Sequence, residues 1–241
     1  MIALPNECFL KIFNNLQRDN GDLLHKDLFS CLLVNRQWCR IIVPILWSNP
    51  LIHFSNKKLI RICLLTLNSE EQTLLIPFKI TLPNDPKPLF NYTSYITFVS
   101  NYLNSGIDDW LYNERCETDN DWRSNQNRSY QPSYGSNRHL MIYYYEGLVN
   151  AIKCSLIKMF LRTSKNLDNL IINGIIHDKM ILEDIYRKTT ITTIKFSYSS
   201  FNSEERKLFM EILNRNITLT SLSFENCKLG SEGGQVLAEK E

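Results

Sequence analysis

Leu4-Pro5-Asn6-Glu7-Cys8-Phe9-Leu10-Lys11-Ile12-Phe13-Asn14-Asn15-Leu16 begins a segment that continues through Leu28 and Leu33-Val34-Asn35-Arg36-Gln37-Trp38 and ends at Pro44-Ile45-Leu46-Trp47. Pro5 suits a helix start, because its missing N–H costs nothing there and its fixed φ matches the first turn. Glu7 lies in that first turn, where a carboxylate favours the positive helix end. Phe9, Ile12, Phe13 and Leu16 recur at i, i+3, i+4 and i+7, one apolar helix face. Turn formers from Gln17 to Asp22 break the pattern and predict a long, polar connection over 17–26. Asp27 is placed to cap a second helix running through Val34. Asn35 is placed to cap a third, which carries Trp38, Ile41 and Ile42 and is expected to stop at Pro44. Such a unit buries too little surface to be stable alone, so it is expected to lean on a partner or a neighbouring domain.

The order and spacing of these residues over positions 4–47 resemble an F-box, the short helical module that docks a protein onto the adaptor of a cullin–RING ubiquitin ligase. The resemblance implies an adaptor-facing surface made by Leu4, Pro5, Glu7, Ile12, Phe13, Leu16, Leu33, Val34 and Trp38. Phe9 and Ile42 read instead as the core of the bundle.

A second pattern lies at the far end. Ile191-Thr192-Thr193-Ile194-Lys195-Phe196 and Leu219-Thr220-Ser221-Leu222-Ser223-Phe224 match at an offset of 28 residues. The match continues from Phe201 to Leu229, from Ser203-Glu204 to Ser231-Glu232, and from Leu208-Phe209 to Val236-Leu237. An earlier copy starts at Leu167-Asp168-Asn169-Leu170-Ile171-Ile172, 24 residues before the second. Periods of this length read as leucine-rich repeats, each a short strand followed by a helix. Ile194, Phe196, Leu222 and Phe224 are then core positions. Cys227 stands where such repeats carry Asn or Cys. The stretch Glu232-Gly233-Gly234-Gln235-Val236-Leu237-Ala238 resembles the ribonuclease-inhibitor subclass. The resemblance implies a target-binding face lined by Asn169, Ile171 and Asn173, by Thr193, Lys195 and Ser197, and by Ser221, Ser223 and Glu225. Most of these are small and polar, so no dominant charge match to a target is expected.

Between the two patterns the chain is less legible. Lys57 to Leu67 is apolar almost all round, which predicts a buried helix. Pro77, Pro83, Pro86 and Pro88 forbid regular structure nearby. Tyr92 to Leu103 resumes an amphipathic helical pattern, and the region reads as stacked helices, degenerate repeat units without clear strands. Residues 113–138 are polar, with almost no aliphatics, and read as a disordered insert. A helix from about His139 to Arg162 follows, with Leu148, Ile152, Leu156, Met159 and Phe160 as its core stripe.

The chain has 241 residues, 44% hydrophobic and 22% charged, and a formal charge of +2. This is an ordinary globular balance with no strong pull toward nucleic acid or anionic membrane. No signal peptide or membrane-length apolar run is visible. Seven scattered cysteines without CxxC pairs predict a reduced, intracellular chain, cytoplasmic or nuclear. No P-loop, HExxH or GxSxG motif occurs, and the four histidines share no spacing that would hold a metal. Cys39 lacks a helix-start context or a nominated His and reads as a structural thiol. No catalytic residue, metal or cofactor is expected.

The expectation is thus an α/β, mostly helical chain: an F-box over 1–48, a helical linker or degenerate repeats over 49–112, the insert at 113–138, and an incomplete leucine-rich-repeat solenoid over 139–241. The last unit stops inside its helix at Glu241, which reads as a truncated array. Such a chain recruits a target protein to a cullin-bound adaptor and makes no bond itself. A non-catalytic scaffold outside ubiquitylation, or a truncated inactive copy, is the competing reading. Co-purification of a cullin separates the first of these from recruitment.

Overall fold

A computed structural model describes residues 4–18, 23–48, 50, 56–100, 102–118, 137–174, 179–199, 201–202, 204–207, 209 and 217–228. Three helices come first: α1 (Asn6–Arg18), α2 (Leu23–Leu32) and α3 (Arg36–Ser48). Pro5 sits just ahead of α1, and its carbonyl accepts the N–H groups of Cys8 and Phe9 at 3.1 and 3.4 Å. Asn35 caps α3, its Oδ1 accepting from the Trp38 N–H at 2.9 Å. Phe13, Leu28, Ile42 and Ile45 form a small core, with Phe9, Leu16 and Trp38 packed around it. The Trp38 ring meets Phe13 edge-on at 5.1 Å.

Three local expectations for this unit need correction. Asp27 lies inside α2 and is not its cap. The polar connection is shorter than 17–26, because α1 runs to Arg18 and α2 starts at Leu23. Pro44 does not end α3, which continues to Ser48. A proline inside a helix costs about 3 kcal/mol. Burial of Ile42, Val43 and Ile45 around it offsets that cost.

The remaining described elements are α4 (Lys57–Leu64), α5 (Ser69–Thr73), β1 (Phe98–Val99), α6 (Leu103–Thr118), α7 (Asn137–Thr163), β2 (Asn169–Asn173), α8 (Lys179–Arg187), β3 (Thr193–Ser197) and β4 (Ser221–Glu225). Short 3-10 turns lie at Ile76–Phe78 and Tyr92–Tyr95. One apolar core runs from Leu59 to Phe209, so segments 49–112 and 139–241 share it. The helix expected from Tyr92 to Leu103 is instead a 3-10 turn followed by β1. Backbone pairing with β2 captures Phe98 and Val99, an aromatic and a β-branched residue, and the middle region does contain a strand. Of the expected insert, 113–118 is the end of α6, and α7 already begins at Asn137; 119–136 lie outside the described residues. The stripe of α7 is buried as expected, but so are Lys153, Cys154, Ser155, Ile157, Lys158 and Leu161. This part of α7 is therefore enclosed on all sides.

The strands form one parallel sheet in chain order, β1-β2-β3-β4. Asn169 pairs with Thr193 and Thr193 with Ser221, so the sequence offsets of 24 and 28 are the Cα registers of neighbouring strands. Leu170, Ile172, Ile194 and Phe196 point into the core. Leu222 and Phe224 pack against it half-buried. Phe196 stacks on Phe224 at 5.6 Å and meets Phe201 and Phe209 edge-on at 5.3 Å each.

The same backbone device recurs at the entries to β2, β3 and β4. One carbonyl accepts two successive N–H groups of the next unit: Thr97 from Asp168 and Asn169, Asp168 from Thr192 and Thr193, Thr192 from Thr220 and Ser221, all within 2.8–3.1 Å. Every exit from β2, β3 and β4 also matches. The residue after each strand is left-handed: Gly174 (φ 82°), Tyr198 (φ 54°) and Asn226 (φ 53°). One residue further on, the Ser199 hydroxyl donates to the Gly174 carbonyl at 2.7 Å. At the equivalent place the Cys227 thiol donates to the Phe196 carbonyl at 3.4 Å.

Two polar anchors hold helices to this body. Asn68 and Glu71 form a reciprocal capping box on α5. The buried Glu71 also receives Arg162 through two nitrogens, at 2.6 and 2.9 Å, a bidentate pair that raises the guanidinium pKa further. Lys153 donates to the Asn173 carbonyl at 2.7 Å, and burial lowers its pKa.

The exit turns yield a stability prediction with a contrast inside it. A Cβ on Gly174 would sit 3.3 Å from Lys153 Nζ in a left-handed backbone. Gly174→Ala should lower unfolding stability by about 1–2 kcal/mol. Tyr198→Gly, at the equivalent turn, should change it far less, because glycine relieves the left-handed cost. Separately, Asn68→Ala should cost about 1 kcal/mol through loss of the α5 cap. Urea unfolding of the variants checks all three.

Candidate interaction surfaces

The helical unit covers its small core incompletely. Leu33 is 70% exposed, Val34 and Phe29 are each 59%, and Leu4, Ile12 and Leu10 remain about half exposed. Gln37 Nε2 donates to Asn6 Oδ1 at 2.9 Å and ties the start of α1 to the start of α3. Leu4-Pro5 and Leu33-Val34, which precede those starts, therefore lie at one end of the unit. Phe29 and Leu33 stand four residues apart and share a side of that end. Apolar groups gathered this way mark an interaction surface more often than scattered ones do.

The expected surface residues separate into two kinds. Leu4, Pro5, Glu7, Ile12, Leu33 and Val34 are exposed. Phe13 is only 1% exposed and belongs to the core, and Leu16 and Trp38 are half-buried against it. The helical period placed Phe13, Leu16 and Ile12 on one face, but α2 and α3 cover only part of that face. Phe29 and Leu10 were missed. The i, i+4 spacing of Phe29 and Leu33 was the available signal.

The open face of the sheet carries the other predicted group. Asn169, Ile171, Asn173, Thr193 and Lys195 are half-exposed, and Ser221, Ser223 and Glu225 are exposed. Ser197 is buried, and its hydroxyl donates to Glu225 at 3.3 Å. Register brings Ile171, Lys195 and Ser223 into one row and Asn173, Ser197 and Glu225 into the next. Phe98 aligns with Asn169 and extends the face onto β1, a position the sequence pattern did not reveal. Lys195 and Glu225 pair at 2.8 Å, and this contact holds the Glu225 carboxyl below the usual range. The ion pair is exposed and contributes little to stability. Its effect is to cancel the two charges of this face against each other.

Helix α3 connects the two surfaces. Its Ile42 and Ile45 sit in the small core, while Trp47 packs against the large one. Trp47 stacks on Tyr92 at 4.6 Å, and burial pushes the Tyr92 hydroxyl pKa up. The Ser48 carbonyl accepts from both the N–H and the hydroxyl of Thr97, each at 2.8 Å. The end of α3 thus occupies, ahead of β1, the place that Thr97 occupies ahead of β2.

Among the described residues no group of three His, Cys, Asp or Glu side chains could hold a metal. No helix there is long and apolar enough to cross a membrane. The buried Cys63 thiol is pushed up to about 12, which suits a packing role.

No curated protein and no solved structure matches the chain. Residues 1–53 match the family model described as F-box-like. The span covers α1, α2 and α3 and ends just past the contact of Ser48 with Thr97. The N-terminal helical unit is an F-box-like domain, which suggests a role in SCF-type ubiquitin-ligase complexes through their adaptor.

Proposed function

We propose that this chain is a substrate-recruiting subunit of an SCF-type cullin–RING ubiquitin ligase. The F-box-like domain holds the adaptor, and the open sheet face holds a target protein. The observation that carries this reading is the exposed apolar end at Leu4, Pro5, Phe29, Leu33 and Val34 within the F-box-like span. Recruitment works by tethering, which raises the effective concentration of target lysines near the conjugating enzyme. The chain itself makes no bond in this reading and works in the cytoplasm or nucleus.

The sheet reads as a stack of leucine-rich repeats. Support comes from the registers of 24 and 28 residues, the left-handed exits, and the Ser199 and Cys227 side chains that bond back to strand-end carbonyls. The ribonuclease-inhibitor-like stretch 232–238 lies outside the described residues. With Lys195 and Glu225 already paired, a target segment gains little from net charge and more from hydrogen bonds and apolar contact with Ile171.

Paired variants test the docking surface. Leu33→Ser with Val34→Ser removes exposed apolar groups. It should weaken adaptor capture while changing unfolding stability by only about 0.5 kcal/mol. Phe13→Ala should cost about 3–5 kcal/mol of the helical unit's stability, because it opens the core. Trp38→Ala should act in the same way, and not as loss of a surface contact. Adaptor pull-down and circular dichroism on the same samples separate the two effects. Normal adaptor capture by the Leu33/Val34 variant would remove this surface from the assignment. Capture of adaptor without cullin would point to a scaffold outside ubiquitylation.

A further inference from the structure

A pocket of about 440 Å³ opens between α5, the C-terminal half of α7 and α8, away from both surfaces above. Lys158, Arg162, Arg187 and Lys188 line it against Glu70, Glu71 and Asp184, so one positive charge is in excess among the lining groups. The pairing shows where that excess lies. Glu71 is occupied by Arg162 and by the Asn68 N–H. Glu70 meets the almost fully buried Lys158 at 3.2 Å. Arg187 is 71% exposed and reaches Asp184 at 3.6 Å and Glu183 at 3.9 Å, both on its own helix. Lys188 Nζ donates to the Ser164 carbonyl, a neutral acceptor.

A partly buried ammonium facing a neutral carbonyl is poorly compensated, and desolvation accordingly lowers the Lys188 pKa. Among the described residues Arg187 is held only by longer contacts along α8, and it can turn toward the opening at small cost. We propose that this pocket binds a single anionic group, a carboxylate or a phosphate, on Lys188 and Arg187. Glu70 limits the affinity, because it stands in the same pocket with the same sign of charge. This site does not depend on adaptor docking or on the sheet face.

The test is a titration of the full chain with inorganic phosphate and, separately, with acetate, followed by calorimetry and amide shifts. Saturable one-to-one binding is expected, and the stronger ligand identifies the group as phosphate or carboxylate. Lys188→Gln should weaken it about tenfold. Arg187→Gln should also weaken it and leaves the Lys188 contact with Ser164 in place, so loss of that contact cannot account for the result. Glu70→Gln should tighten binding, whereas the exposed Lys165→Gln, outside the pocket, should leave it unchanged. The proposal is overturned if neither anion saturates, if Lys188→Gln and Arg187→Gln both bind like the parent, or if Glu70→Gln weakens binding.

Discussion

The Ser48 carbonyl, accepting two hydrogen bonds from Thr97, is the joint on which the arrangement of this chain depends. A helix end leaves carbonyls without intrahelical partners, and a sheet edge leaves N–H groups without them. Here each satisfies the other. Trp47 on Tyr92 closes the apolar side of the same joint. A small helical unit with a core of four buried side chains is thereby attached to a much larger body. The unit's own core is small, and the attachment adds apolar contact with the larger body.

From this joint the sheet grows by one rule. At β2, β3 and β4 the entry carbonyl takes two N–H groups from the next unit, and the exit turns through a left-handed residue. The rule tolerates long insertions. Strands β1 and β2 pair although Phe98 and Asn169 are 71 positions apart, because loop-closure entropy grows only slowly with length. The insertion places α6 and α7 against the sheet and encloses α7. Its lysines are consequently buried, and each needs an oxygen partner: Lys153 the Asn173 carbonyl, Lys158 the Glu70 carboxylate.

The two surfaces differ in how they could attract partners. The end of the F-box-like domain exposes aliphatic and aromatic groups, whose burial is favourable and non-directional. The sheet face offers amides, hydroxyls and one self-paired ion pair, which contribute specificity more than affinity. Helix α3 contributes to both cores, so the unit that carries the first surface packs directly on the body that carries the second.

Local residue order by itself determined the helical unit, the Asn35 cap and the registers of β2, β3 and β4. In each case the signal lies within a few residues or repeats at a constant offset. It could not determine which apolar residues face outward. Ile12, Phe13 and Leu16 share a helical face, yet only packing by α2 and α3 makes Phe13 core and leaves Ile12 in solvent. Tertiary structure alone decided that α3 runs through Pro44, because burial on both sides of the proline outweighs its lost hydrogen bond. It alone made Phe98-Val99 a strand, since two residues carry no period and become one only when Asn169 and Leu170 lie beside them. The charged pocket was invisible for the same reason: its groups come from three helices and meet only once α5, α7 and α8 are packed.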